Sequence, residues 1–131
     1  MKEQQFHVIL QKNRRRKQEE NEMLTDAKAG VFSSIAVCSG YTDLRKGIDQ
    51  LAATLSTTYG VNPYVENQLF LFCGRASYKI KGLIREEAGF VLVNLRLKNR
   101  RFHWPRDERK GLIQITHDQY LQLMSEGTFR P

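Results

Sequence analysis

The stretch QLFLFCGRASYKIKGLIREEAGFVLVNLRL, residues 68–97, decides the architecture. Gln68 to Cys73 is an apolar run with the length of a buried strand, and Gly74-Arg75 ends it. Residues 77–85 then alternate. Tyr78, Ile80 and Ile84 share one face, while Lys79, Lys81 and Arg85 fall mostly on the other, with Leu83 among them. Glu86-Glu87-Ala88-Gly89 supplies a hairpin turn. Residues 90–97 place Val91, Val93, Leu95 and Leu97 on one face and Phe90, Leu92, Asn94 and Arg96 on the other. Successive strands joined by short turns predict an antiparallel meander.

Towards the N-terminus, Leu44, Ile48, Leu51 and Leu55 recur at i, i+4, i+7 and i+11, one apolar stripe at helical period. The stripe predicts a long helix with Thr42 or Asp43 as its N-cap and Gly60 as its stop. On such a helix Arg45 pairs with Asp49 at i, i+4 or lies over the sheet edge, and Gly47 lies on the flank of the stripe, where a missing side chain admits another element closely. Ile35 to Cys38 reads as a short strand ending at Ser39-Gly40. Towards the C-terminus, Phe102 to Trp104 reads as a further short strand stopped by Pro105. Thr116 and Gln119 match a capping box that opens a short helix carrying Tyr120, Leu121 and Met124, closed by Gly127. The expected fold is α+β: an antiparallel β-meander sheet with one long helix packed on a face and a short C-terminal helix.

A length of 131 residues suits one domain, and 40% apolar with 27% charged residues is a globular mix. The chain lacks the ~18-residue apolar run of a membrane span and any signal-peptide pattern, and its two cysteines are too few for a disulfide scaffold. The expected location is cytoplasmic. Residues 1–30 differ in composition from the rest: Arg14-Arg15-Arg16-Lys17 precede Glu19, Glu20 and Glu22, and no Pro or Gly occurs before Gly30. They are expected to form an N-terminal extension, helical or partly disordered, ahead of a domain over 31–131. A basic arm reaching for phosphates competes there with a solvated helix, since seven basic residues face five acidic ones. The whole chain carries a formal net charge of +7, which favours polyanionic partners without naming them.

The residues that could carry chemistry exclude more than they select. Cys38, Cys73, His7, His103 and His117 are scattered, without the paired spacing of a zinc site. No nucleophile motif or phosphate-cradling glycine loop is present. The carboxylates, from Asp43 and Asp49 to Asp118, each have a nearer local role than a two-metal centre. The expectation is a non-enzyme without metal, cofactor or small-molecule substrate. Two basic groupings stand out. One is the strand face of Lys79, Lys81 and Arg85, which Arg96 can join; a solvated sheet face explains it equally simply. The other is the segment 96–110, in which Arg96, Lys98, Arg100, Arg101, Arg106, Arg109 and Lys110 interleave with Phe102, His103 and Trp104. Arginines bracketing aromatic rings combine phosphate neutralisation with stacking, but Phe102 and Trp104 share a face and suit a core as well.

GYTDLRKGIDQLA at 40–52, LFLFCGR at 69–75, IKGLI at 80–84, Gly89-Phe90 and RFHWPR at 101–106 occur in an order and spacing that strongly resemble the TnpB accessory proteins of the insertion-sequence sixty-six family. The resemblance covers roughly residues 35–127. It departs from the usual pattern at Arg101, where a glycine is common before the Phe, and at Ser77-Tyr78 and Asn94-Leu95. It implies a non-catalytic helper of transposition, encoded beside a DDE-type transposase and a small helix-turn-helix protein. DNA at the transposon ends and those two proteins are then the expected partners, with a pure protein–protein adaptor, or a degenerate inactive copy, as the alternatives. The expected DNA-binding residues are Arg96, Lys98, Arg100, Arg101, Trp104, Arg106, Lys79, Lys81 and Arg85. In the family block, Asp43, Leu44, Arg45, Lys46, Gly47, Ile48 and Asp49 are expected to be mainly structural, an assignment that Gly47 in open solvent would overturn.

Overall fold

Apolar strand patterns sit on either side of the predicted helix, and that placement sets the topology. The computed structural model describes residues 4–9, 32–98 and 100–130. Among them lie β1 (Gln4–Ile9), β2 (Ser34–Cys38), α1 (Ile48–Thr57), β3 (Gln68–Cys73), β4 (Lys79–Glu86), β5 (Gly89–Leu97), β6 (Leu112–Ile115) and α2 (His117–Glu126). They form one six-stranded sheet in the order β1-β5-β4-β3-β2-β6. β3, β4 and β5 are consecutive antiparallel neighbours, with Leu69 opposite Ile84 and Lys81 opposite Asn94. β2, however, runs parallel to β3, Ala36 opposite Phe70. The sheet is therefore mixed rather than a plain antiparallel meander. A helix inserted between two strands of one sheet carries the chain back to its starting end, so the second strand repeats the direction of the first.

Both faces of the sheet are apolar where helices cover them. On one, Ile35, Leu69, Leu71, Ile84 and Val93 meet Tyr120, Leu123 and Met124 of α2, together with Phe102 and Trp104. On the other, Ala36, Cys38, Phe70, Phe72, Leu83 and Leu92 meet Leu51, Ala52 and Leu55 of α1. β4 and β5 are buried on both faces for part of their length, which explains why Leu83 and Leu92 interrupt otherwise polar rows.

Several expectations need correction. The helix is not long: α1 has ten residues, as many as α2. It starts at Ile48, with Gly47 as N-cap and no side-chain cap. Residues 42–46 take a tight turn instead. The Asp43 carboxylate accepts from the Arg45 backbone N–H at 3.0 Å, and the Asp43 carbonyl accepts from the Lys46 N–H at 3.1 Å. Asp offers the backbone this local alternative to helix. Leu44 thus precedes the helix, and the Arg45–Asp49 pair gives way to an exposed Arg45–Asp43 pair at 2.8 Å. Phe102 to Trp104 joins no strand. Its alternation of buried and exposed residues survives as an extended loop pinned by the Phe102 N–H to the Ser77 carbonyl and the His103 N–H to the Gly127 carbonyl. β6 adds to the expected elements; its apolar LIQI sits between Gly111 and Thr116, short enough to pass for the lead-in to the helix. For residues 4–9 the helical expectation is replaced by a strand antiparallel to β5. The remainder of the expected extension, residues 1–3 and 10–30, lies outside the described residues.

The capping box is present as expected. Thr116 Oγ1 accepts from the Gln119 N–H at 3.1 Å while Gln119 Oε1 accepts from the Thr116 N–H at 2.7 Å. At the other end Gly127 takes φ +80, and a Cβ there would stand 2.7 Å from the Arg101 carbonyl oxygen. Glycine closes this helix because the cap is left-handed and the Arg101 carbonyl stands where a Cβ would project.

Candidate functional site: a cationic cleft

α1 covers only part of its sheet face. Its buried side chains pack around Phe70, Phe72, Leu83 and Leu92, and the next positions along β4 and β5 on the same face, Lys81 with Asn94 and Lys79 with Arg96, are left uncovered. The turn before α1 and the end of β3 rise beside them. The result is a cleft of about 800 Å³, walled by Tyr41, Thr42, Asp43, Leu44, Arg45, Gly74, Arg75 and Ala76 and lined across β4 and β5 by Lys79, Lys81, Asn94 and Arg96. Five cations thus face one carboxylate. The wall is anchored at three points. The Thr42 N–H donates to the Cys73 carbonyl at 3.0 Å, Leu44 packs so closely on Gly74 that a Cβ there would lie 3.1 Å from Leu44 Cγ, and Lys81 Nζ donates to the Lys46 carbonyl at 2.9 Å.

The electrostatics follow from these contacts. The Arg45 guanidinium beside Asp43 holds that carboxyl well below its usual range, and Arg45 is raised in return. Lys81 is half-buried, and desolvation lowers its pKa despite the opposing field of Asp43. Aromatic rings carry the guanidinium groups. Arg106 lies 4.1 Å and Arg75 4.8 Å from the Tyr41 ring centre, and Arg96 and Arg101 lie 5.4 and 5.8 Å from that of Tyr78. Each is within cation–π range.

The structure sorts the candidates named from sequence. Lys79, Lys81 and Arg96 meet in the cleft. Arg85 does not; it lies over Tyr64 and Phe90 at 5.5 and 5.1 Å. Lys98 and Arg101 are exposed on the loop beyond β5, and Arg100 Nη1 donates to the Ser125 carbonyl at 2.6 Å. Trp104 is 6% exposed and its Nε1 donates to the Cys38 carbonyl at 2.9 Å, so its ring belongs to the core and offers no stacking surface. Arg106 points inward: it donates to the Gly40 carbonyl at 3.0 Å, the Gly74 carbonyl at 2.8 Å and Ser77 Oγ at 3.0 Å. Its place is in the scaffold behind the cleft wall. Within the family block, Asp43, Leu44 and Arg45 line the cleft, and Lys46 binds Thr54 Oγ1 at 3.1 Å. Gly47 caps α1 in open space, where an added Cβ would meet nothing within 4 Å, while Ile48 is half-buried and Asp49 exposed. Gly47 in open space meets the condition set against a mainly structural block, and Asp43, Leu44 and Arg45 form cleft wall. Tyr41 and Arg75 are cleft residues that the sequence reading misses. Their only signal is position, one in the GYTD block and the other directly after a strand end.

Among the described residues no group of three or more His, Cys, Asp or Glu could hold a metal ion, and no helix is long and apolar enough to cross a membrane. A mixed sheet with a helix on each face and a cationic cleft at one end defines a small basic α/β protein. Residues 33–129 match the family of IS66 Orf2 like proteins, and the chain belongs to it, an accessory family of insertion-sequence transposition. It is also similar to the uncharacterized protein y4hO of Sinorhizobium fredii (strain NBRC 101917 / NGR234), 34% identical over 110 residues that span 79% of this chain and 94% of that protein. No solved structure matches the chain.

Proposed function

We propose that this protein is a non-catalytic accessory factor of transposition that holds transposon-end DNA by its phosphates in the cationic cleft, in the cytoplasm, for the DDE transposase and the small helix-turn-helix protein of the same element. The observation that carries this reading is the convergence of Arg45, Arg75, Lys79, Lys81 and Arg96 on one cleft against the single carboxylate of Asp43. Phosphate contacts from Lys and Arg position a protein on nucleic acid and dominate its affinity. Arg101 extends the same surface, since it shares the Tyr78 ring with Arg96. The segment 31–131 contains all these residues, and Gln4–Ile9 ahead of it joins the same sheet as β1.

Gel shift or fluorescence anisotropy with element-end DNA across a salt series tests the reading. Binding should weaken steeply with salt. Changing Lys79, Lys81 and Arg96 together to Ala should flatten the slope of log K against log salt by roughly two to three units, at about 0.9 per lost duplex contact. No shift even at low salt would overturn DNA binding and leave a protein–protein adaptor whose cleft docks an acidic surface.

A further inference from the structure

The shape of the cleft narrows its ligand. Proteins that read duplex DNA push a helix or a two-stranded ribbon outward into the major groove. Here neither helix stands at the cationic residues: α1 packs beside them on the sheet face and α2 lies on the opposite face. The cations line a recess instead, and its roughly 800 Å³ falls among sites that enclose a small ligand. Single strands are held in positive grooves by their backbone while their bases stack on aromatic rings and guanidinium planes. Both parts are present. Lys79, Lys81 and Arg96 line the sheet side of the cleft, and Tyr41, 46% exposed, stands in its wall with its ring carrying both the Arg106 and the Arg75 guanidinium groups, so that Arg75 offers the stacking plane, with Leu44 as apolar surface next to it.

Resting on the phosphate-binding reading of this cleft, we propose that its ligand is unpaired: a single DNA strand, one nucleotide of which enters the recess with its phosphate against Lys81 and Arg96 and its base against the Arg75 guanidinium that Tyr41 supports. A processed or frayed transposon end supplies such a strand, and a fully paired duplex does not.

The test uses the full chain and two fluorescent probes, an oligodeoxythymidylate of about twelve nucleotides and a mixed-sequence duplex of the same length, titrated at several salt concentrations. The single strand should bind at least about tenfold tighter, with a salt slope of about 0.7 per phosphate contact. Lys81→Gln and Arg96→Gln should each flatten that slope by about 0.7. Tyr41→Leu should cost roughly 5- to 150-fold in single-strand affinity at unchanged slope, as the loss of one stacked base does, and Tyr41→Phe should restore it. Arg130→Gln, at the C-terminal end and paired with Glu126, removes the same charge elsewhere and should change nothing. A duplex bound as tightly as the single strand, still weakened by Lys81→Gln, would overturn the single-strand inference while sparing the phosphate reading. Absence of binding to both probes would overturn both. The preference of the unaltered protein between the probes decides the matter even where a variant does not fold.

Discussion

Arg106 lies in the segment where basic residues are densest, yet its guanidinium is spent inside the protein. It bridges the carbonyls of Gly40 and Gly74 and the Ser77 hydroxyl, and it stacks on Tyr41, so one side chain ties three chain segments behind the cleft. Truncating it leaves part-buried acceptors without a donor. Arg106→Ala should cost about 2–4 kcal/mol in urea unfolding, given ~1.5–3 kcal/mol for a hydrogen bond to a charged group. Arg106→Lys should recover little, because a point ammonium cannot span the same fork of acceptors. Lys81 is the contrasting residue. Burial lowers its pKa, so its protonated form is disfavoured by folding. The sign follows: its charge opposes stability at low and neutral pH, and this opposition is relieved as pH rises through the lowered folded-state value towards that of an ordinary lysine. The same residue loses its positive charge at a lower pH than an ordinary lysine does. Anion affinity at fixed salt should therefore begin to fall below the ordinary lysine range of about 10.4, and Lys81→Arg should move that fall to higher pH. Anisotropy titrations from about pH 8 to about pH 10.5 check it.

The start of α1 shows one element overruling its own sequence pattern. The apolar stripe continues back to Leu44, but Asp43 closes a local turn with Arg45 and postpones the helix to Ile48. Gly47 then occupies an N-cap with extended backbone, no side chain and open space around it. Gly47→Ser should supply the missing acceptor and stabilise the protein by a few tenths of a kcal/mol, measured as a raised urea midpoint at constant m-value. The 102–104 loop makes the reverse point: it is irregular, yet it seals the α2 side of the core. Trp104 meets Phe102 edge-on at 6.2 Å between ring centres. Trp104→Ala should cost about 3–5 kcal/mol, because it opens a cavity and strands the Cys38 carbonyl. A melting curve near that of the parent protein would return Trp104 to the surface.

In the molecule as a whole, one sheet joins two apolar clusters. Leu55 belongs to the α1 side and Leu123 to the α2 side, and both are fully buried. Strands β2 to β5 contribute side chains to both clusters, so neither helix can leave without exposing strands the other still needs. Leu55→Ala and Leu123→Ala should each lower stability by about 2–5 kcal/mol. In both variants the fluorescence of Trp104, which reports on the α2 side, should change in the same transition as far-UV circular dichroism. Separate transitions would show that the halves fold independently. The same wrapping leaves the Lys79–Arg96 end of the sheet bare, since a ten-residue helix is too short to cover a full strand length on its face.

The period-two alternation of β4 and β5, the capping box at Thr116 and the helical stripe from Ile48 to Leu55 are legible in the chain, because each is written in residues a few positions apart. The blocks from GYTD to RFHWPR likewise carry the family. Tertiary structure decided the rest. The parallel pairing of β2 with β3 is not encoded in either strand, but it brings Tyr41–Arg45 beside Arg75 and across from Lys79 and Arg96. Charge density along 96–110 pointed to a surface, whereas burial drew Trp104 and Arg106 inward and left only some of that segment exposed. A basic residue reads alike in sequence whether it faces water or spans three acceptors. Only the packing of distant segments determines which of these it does.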